Sequence, residues 1–594
     1  MASNSARSTS TLTLTQRVSF ALRAPEYFGM SGLLEFILAA ALFTLLVALS
    51  IANVLHRDFN SDEPQHAHVI WGWTHGLVQY RDLFDNHMPL FHLLFAPLFA
   101  LIGERPTILF WMRFLLLPAY FVAAWCTYQI GSRLFSRRAG VWAVISAGFY
   151  GGYHFFLFQF RTDNLWTAIW LLCVTILVGG SITIRRWLVA GILLGLCFAV
   201  SMKSTLLLLA VLVNAPLAFA LVGSEKLDKR WIYFLESAAA FLAAAVLVPV
   251  VIMIFFALKG VWRDFRYGVF DFNLAVHSDF ESHPVTALLI FAAVMSVVVF
   301  IARLIVRSSA ADRDLALNRA FVFLVSVFYF FALRILWPPM SRTFQPIRPL
   351  IFVLIAGALL ALSDRLAHSK WTVWRSLRFV PLPVFVALAE LFFVLQAQAI
   401  WKDDTRNDTQ LLRDVLVLTD PNDYVLDCKG ETIFRRRCSR AVLENITVSA
   451  IKRGRMVDDI PQRCIETHTA VVATINQQRF SPATRQFVER NYVSITNDLR
   501  VAGLKLQAPP ENSHRYDFEV VIPASYKIIS RDNNVSGMLD GTPYDSARFL
   551  EPGAHTFEST STSRNLVLLW AQAVDRHFAS FDRNTSSGDT SPGN

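Results

Sequence analysis

Long apolar runs separated by short basic segments fill the first two thirds of the chain. Runs near the roughly 20 residues that a helix needs to cross a bilayer begin near Leu33, Thr107, Gly140, Leu165, Trp187, Thr205, Ile232, Val285, Ala320, Pro349 and Phe379. The pattern predicts about eleven spanning helices. Basic residues cluster between them: Arg7/Arg17/Arg23, Arg133/Arg137/Arg138, Arg185/Arg186, Lys226/Lys229/Arg230, Arg303/Arg307/Arg313/Arg319 and Arg365/Lys370/Arg375/Arg378. All fall on one side if every run crosses once, and basic clusters favour the cytoplasmic side. A further run, Pro89 to Gly103, is only about 15 residues long, short for a span. Counting it as one would put Arg133, Arg137 and Arg138 outside. It is therefore expected as an interfacial or re-entrant helix within a long first exoplasmic loop, about residues 56–106. An odd number of spans then puts the C-terminus outside.

From about Trp401 the apolar runs stop and charge rises. Helical patterns over Thr409 to Leu418 and Pro482 to Arg490 alternate with strand-like Tyr424 to Leu426 and Ala470 to Ile475, which predicts a small α/β unit. Further on, apolar and polar residues alternate in Phe518 to Ile522, Tyr526 to Ile529, Ala547 to Leu550 and Asn565 to Leu569. Turns at Asp540-Gly541 and Pro552-Gly553 complete a small β-sandwich pattern. The expected organisation is a cytoplasmic segment 1–31, a membrane domain 32–400, an α/β subdomain 401–510, a β-sandwich-like subdomain 511–580 and a Ser/Gly/Thr-rich disordered tail 581–594.

Composition agrees with a polytopic α-helical membrane protein: 594 residues, 54% hydrophobic, 17% charged, mean hydropathy +0.42. The net charge of +10 is dispersed in topological clusters and forms no stripe of the kind that binds nucleic acid. Cys126, Cys173 and Cys197 lie in apolar runs as small buried hydrophobes. Cys428, Cys438 and Cys464 lie in the polar region, where an exoplasmic location permits one disulfide and leaves an odd thiol; the sequence leaves the pairing open. The first apolar run has no small-residue cleavage site and is expected as an anchor. Sequons at Asn407, Asn445, Asn534 and Asn584 matter only in a secretory compartment.

The densest chemistry lies in the first loop. Ser61-Asp62-Glu63-Pro64-Gln65-His66-Ala67-His68 is followed by Tyr80-Arg81-Asp82-Leu83-Phe84-Asp85-Asn86-His87-Met88-Pro89. A carboxylate near a low-dielectric boundary suits a general base that takes a proton from a hydroxyl. Arg161-Thr162-Asp163-Asn164 is a second polar knot between two runs, Lys203 ends another run, and Arg342 and Arg348 lie in a Pro-rich loop. Arg113 sits in an apolar run, where a cation needs a partner. No zinc-type His/Cys spacing and no phosphate-binding Gly-rich loop is present. His66 and His68 beside Asp62 are weak metal ligands by spacing, so a divalent metal stays open without being indicated, and no other cofactor is indicated.

The Asp62-Glu63 pair and the run Gly76-Leu77-Val78-Gln79-Tyr80-Arg81-Asp82-Leu83-Phe84-Asp85 resemble the first-loop motif of GT-C membrane glycosyltransferases. That superfamily includes the protein O-mannosyltransferases of glycosyltransferase family 39 and the aminoarabinose transferases that modify lipid A. The likeness extends over about residues 30–360, and Arg161–Asn164 matches the superfamily's second-loop Arg-Pro-Asp/Glu element. It departs at His87-Met88, which stand where the pattern has Lys-Pro. The resemblance implies an inverting transferase that moves a sugar from a polyprenyl-phosphate donor to an acceptor hydroxyl on a glycan, lipid or protein. Asp62 is then the base, with Glu63 and Asp163 as supporting acids. His87, Arg161, Lys203, Arg342, Tyr80 and Asp85 are the residues for substrate and phosphate. A bacterial inner membrane, with the C-terminal region outside the cytoplasm, is the location that the resemblance implies. A transporter or flippase of lipid-linked or small solutes, with ionisable groups along its path, and a non-catalytic envelope assembly protein are the alternatives.

Overall fold

The computed structural model describes residues 26–223, 227–277, 284–309, 312–336, 341–369, 375–377, 379–397, 402–507, 514–530, 535–560 and 565–578. Arg7, Arg17, Arg23, Lys226, Lys370, Arg378, Asn534, Asn584 and the tail 581–594 lie outside them, as does Trp337–Met340 of the Pro-rich loop. The chain forms two compact units. One holds the described residues of Met1–Arg57, Arg113–Gly260 and His277–Asp403; the other holds those of Asp58–Met112, Val261–Val276 and Asp404–Asn594. The first loop, expected as part of a membrane domain 32–400, therefore belongs to the same unit as the C-terminal region.

Every one of the apolar runs is helical. Among the described residues, 7 helices are long and apolar enough to cross a membrane: Leu33–His56, Ile108–Leu134, Ser204–Leu221, Arg230–Leu258, Phe291–Ser308, Arg313–Arg334 and Arg348–Ala367. The runs near Gly140, Leu165, Trp187 and Phe379 form the shorter helices Arg137–Phe149, Thr162–Leu177, Ile184–Val200 and Leu382–Ala397. The chain is an integral membrane protein. The run Pro89 to Gly103 is the 13-residue helix Leu90–Ile102.

Two buried charges of the first unit, Glu35 and Arg113, have defined partners. Glu35, on the first apolar helix, accepts from Arg138 Nε at 2.7 Å and Trp142 Nε1 at 2.8 Å. Arg113 Nη1 donates to the carbonyls of Val54 at 3.1 Å and Arg57 at 2.9 Å, carbonyls that the end of helix Leu33–His56 leaves without helical partners. Gly191 shows how closely helices Ile184–Val200 and Leu227–Leu258 approach: a Cβ there would lie 2.2 Å from the carbonyl oxygen of Phe241. Small residues at such crossings let backbones meet.

The second unit contains helices Asp62–Thr74 and Leu90–Ile102 and twelve strands. These are β1 (Tyr424–Leu426), β2 (Arg436–Arg437), β3 (Val471–Ala473), β4 (Tyr492–Ser494), β5 (Leu499–Lys505), β6 (Arg515–Val520), β7 (Ala524–Ser530), β8 (Gly537–Leu539), β9 (Thr542–Tyr544), β10 (Arg548–Leu550), β11 (Gly553–Ser559) and β12 (Leu566–Trp570). An 8-stranded sheet runs β10-β7-β12-β5-β3-β1-β2, with β4 also on β5. It is parallel at β1-β2 and β1-β3 and antiparallel elsewhere. A 4-stranded antiparallel sheet runs β6-β11-β8-β9.

Strands on either side of residue 510 pair with one another. The α/β strands and three of the seven later strands, β7, β10 and β12, form one sheet, joined where β12 pairs with β5 from Val567↔Lys505 to Leu569↔Gly503. Without β12, the lower half of β5 would present an open edge, which is an aggregation template unless covered. Buried side chains from both segments, from Leu411 and Val425 to Phe557 and Leu569, share one core. Of the three cysteines here, Cys438 and Cys464 lie with their sulfurs 3.3 Å apart, while Cys428 Sγ faces the Asn476 carbonyl at 3.2 Å.

Candidate functional site

Asp62 opens helix Asp62–Thr74. The turn before it is closed reciprocally: Asn60 N–H donates to Glu63 Oε1 at 2.9 Å and Glu63 N–H donates to the Asn60 carbonyl at 2.8 Å. Side chain and backbone thus satisfy one another in the manner of a capping box, and Glu63 is wholly buried in that task. Asp62 is left in the first helical turn, where the positive end of the helix favours a carboxylate.

The partner of Asp62 comes from far along the chain. Lys429 Nζ donates to Asp62 Oδ1, and the same ammonium lies 3.6 Å from Glu444 Oε1. Both members of the Asp62–Lys429 pair are buried. Asp427 organises the loop that presents Lys429. It accepts from Gly430 N–H at 2.9 Å, Thr432 N–H at 3.0 Å, Thr432 Oγ1 at 2.7 Å and Arg437 Nε at 2.6 Å. Burial would raise the Asp427 carboxyl, but Arg437, His68 and the Thr432 hydrogen bonds outweigh it and hold it below the usual range. Gly430 has φ +97°, and a Cβ on it would stand 2.9 Å from His68 Cβ. Only glycine combines that backbone with that approach to the helix.

A polar chain lies behind Asp62. Asp85, fully buried, accepts from Gln79 Nε2 at 2.6 Å and pairs with His87 Nδ1 at 2.8 Å. His92 Nδ1 is 3.5 Å from Asp85 Oδ2, and His92 Nε2 meets His66 Nδ1 at 3.0 Å. Burial would raise Asp85, yet His87 and His92 hold it below the usual range. Burial depresses His92 to about 4, more than Asp85 can restore. Tyr80 has φ +75° and donates its hydroxyl to the His87 carbonyl at 2.7 Å. Tyr80 and Asp85 are thus engaged in shaping the loop that carries His87.

Within the first unit, a second carboxylate gathers cations. Asp163 Oδ1 is 2.8 Å from Lys203 Nζ and Asp163 Oδ2 is 3.3 Å from Arg161 Nη2, and Arg342 acts on it electrostatically. Asn164 donates to the carbonyls of Phe156 at 2.8 Å and Gln159 at 2.7 Å, which holds the turn before the helix. The geometry therefore brings Asp163, Arg161, Lys203 and Arg342 together, with cations in excess. Among the described residues, no group of three His, Cys, Asp or Glu side chains could hold a metal ion.

Sequence reasoning missed Lys429, Asp427 and the relay residues Gln79 and His92. One signal was available: Asp427-Cys428-Lys429-Gly430-Glu431 follows strand β1 directly, and in parallel sheets the carboxyl ends of strands carry binding residues. Nothing in the spacing linked that run to Asp62.

Residues 86–253 match the family described as dolichyl-phosphate-mannose-protein mannosyltransferase. The structure resembles that of ArnT from Cupriavidus metallidurans bound to undecaprenyl phosphate, with TM-score 0.52 and 11% identity over 78% of this chain and 97% of that one. Against ArnT of the same organism in the apo state the TM-score is 0.51, with 12% identity over 79% and 97%. No curated protein matches by sequence. The resemblance drawn from the loop motifs is borne out as a GT-C fold.

Proposed function

We propose that this chain, which has the fold of the GT-C membrane glycosyltransferases, moves a sugar from a polyprenyl-phosphate donor to an acceptor hydroxyl at the exoplasmic face of its membrane. The observation that carries the reading is the buried Asp62, fixed at a helix start and held by Lys429. The match of residues 86–253 to a family of lipid-phosphate-sugar transferases supports it, as does the fold shared with a protein solved with undecaprenyl phosphate.

In this mechanism Asp62 takes the proton of the acceptor hydroxyl. The oxygen attacks the anomeric carbon in line with the departing phosphate, so the configuration inverts. Lys203, Arg342 and His87 neutralise the charge that develops on the leaving phosphate, where oriented cations in a dry site are worth most. Asp163 keeps Lys203 and Arg161 oriented.

Asp62→Asn removes the base while preserving shape. In proteoliposomes supplied with radiolabelled polyprenyl-phosphate sugar and membrane acceptor, transfer should fall by roughly 10²–10⁴-fold, the usual worth of a general base. Wild-type transfer by the variant would refute the assignment. Passage of the lipid-linked sugar across the bilayer without transfer, by the unaltered protein, would favour a transporter.

A further inference from the structure

Within the second unit, the helix that carries Asp62 and the segment 424–442 enclose a cavity of about 240 Å³. Its wall includes Gln65 and His68 on one side and Lys429, Arg436, Arg437 and Arg440 on the other, with Asp82 as the carboxylate among the lining residues. Three of the cations are already matched: Lys429 by Asp62 and Glu444, Arg437 by Asp427, and Arg440 by Asp264 at 2.8 Å. Arg436 is exposed and its side chain has no hydrogen bond or ion pair among the described residues, although its charge reaches Asp82.

Two further groups lack partners. Both amide atoms of Gln65 and Nε2 of His68 are buried without a hydrogen bond, and these residues are only 2% and 4% exposed. His68 Nδ1 already binds the Ile433 carbonyl at 2.8 Å, which fixes the ring of this cavity-lining residue. Leaving such groups unsatisfied is unfavourable. A ligand with oxygen atoms would recover that cost.

We propose that this cavity binds an anionic group of the acceptor, a phosphate or a carboxylate, and that Lys429, shared between the cavity wall and Asp62, links its occupancy to the base. Arg436 supplies the unmatched positive charge, the Gln65 amide donates, and His68 Nε2 pairs with a hydroxyl of the attached sugar. An anion in the cavity competes with Asp62 for Lys429 and so frees the carboxylate to accept a proton. No lining residue comes from a helix long enough to span the membrane. A donor phosphate, whose prenyl tail must remain in lipid, would require such a border. The binding half of the proposal stands alone; the link to Asp62 rests on the transfer reaction proposed above.

The test is titration of the full-length protein in nanodiscs with inorganic phosphate, followed by phosphorus NMR line broadening, and with glucuronate and glucose, followed by saturation-transfer NMR, all without turnover. Phosphate and glucuronate should bind at least tenfold more tightly than glucose. Arg436→Ala should weaken the anions about tenfold or more, the worth of one charge-assisted hydrogen bond, and leave the melting temperature unchanged. Gln65→Leu should weaken glucuronate by a smaller factor. Equal binding of glucose, or anion binding insensitive to Arg436→Ala, overturns the site. Displacement of bound glucuronate by a polyprenyl monophosphate overturns its assignment to the acceptor. For the link, Arg436→Ala should lower transfer to an anionic acceptor, and Asp62→Asn, which removes the competitor for Lys429, should tighten glucuronate binding. Unchanged glucuronate affinity in Asp62→Asn rejects the link but neither the site nor the transferase.

Discussion

Two buried carboxylates in this molecule each hold a lysine, and the pairs are assembled at different ranges. Asp163 and Lys203 are 40 positions apart, near the starts of two apolar helices of the first unit. Asp62 and Lys429 are 367 positions apart, and Lys429 sits in a loop after a C-terminal strand. The local pair has a second cation, Arg161, on the same carboxylate. In the distant pair one ammonium serves two carboxylates, Asp62 and Glu444. The first arrangement has cations to spare for a phosphate. The second has acid to spare for a proton.

Removing each lysine is the strongest way to break this comparison. Breaking a buried ion pair from one side costs about 3–5 kcal/mol. Lys429→Met should approach that figure in thermal or denaturant unfolding, because Asp62 and Glu444 lose the same cation. Lys203→Met should cost less, because Asp163 keeps Arg161. An equal or larger loss for Lys203→Met would show that the second cation does not compensate.

The C-terminal half of the distant pair can be sharpened through its cysteines. With diamide as oxidant, Cys438 and Cys464 should give up their two thiol hydrogens and join, leaving Cys428 to be alkylated after unfolding. Closing a loop of 26 positions stabilises by about 3 kcal/mol in the chain-entropy estimate. Peptide mapping that finds Cys428 in the bridge would contradict the geometry around the Lys429 loop.

The relay behind Asp62 yields a pH test of similar or smaller size. His92 is held at about 4 when folded and returns to its ordinary value near 6.5 when unfolded. The unfolded chain therefore binds more protons in that interval, and stability falls as pH drops from about 6.5 to 4, by roughly 3 kcal/mol. His68, also lowered by burial, adds in the same direction. Asp85, whose folded carboxyl is depressed, contributes stability that is lost only at lower pH, below its ordinary range. His92→Asn should flatten the decline between pH 6.5 and 4; an unchanged slope would remove His92 as its source.

Hydropathy exposed the helices because burial in lipid demands long apolar runs, so the spans and the short Leu90–Ile102 helix were legible. The acids were legible too, since Asp62 and Asp163 interrupt such runs. Their partners were legible only when close in sequence: Lys203 and Arg161 were identified as candidates, and Lys429 was not. The strand pairing across residue 510 was not legible for a related reason. Strand patterns report which residues face a core, but β5 and β12 pair across sixty-odd residues through backbone groups that every residue carries.

The sequence alone settled the class of molecule, its helices and its conspicuous acids, because each depends on local composition. The tertiary structure alone decided that the first loop and the C-terminal region form one unit, that Lys429 holds Asp62, and that Arg436 borders a polar cavity. Charge pairing and sheet edges are satisfied through space, and distance along the chain carries no information about either.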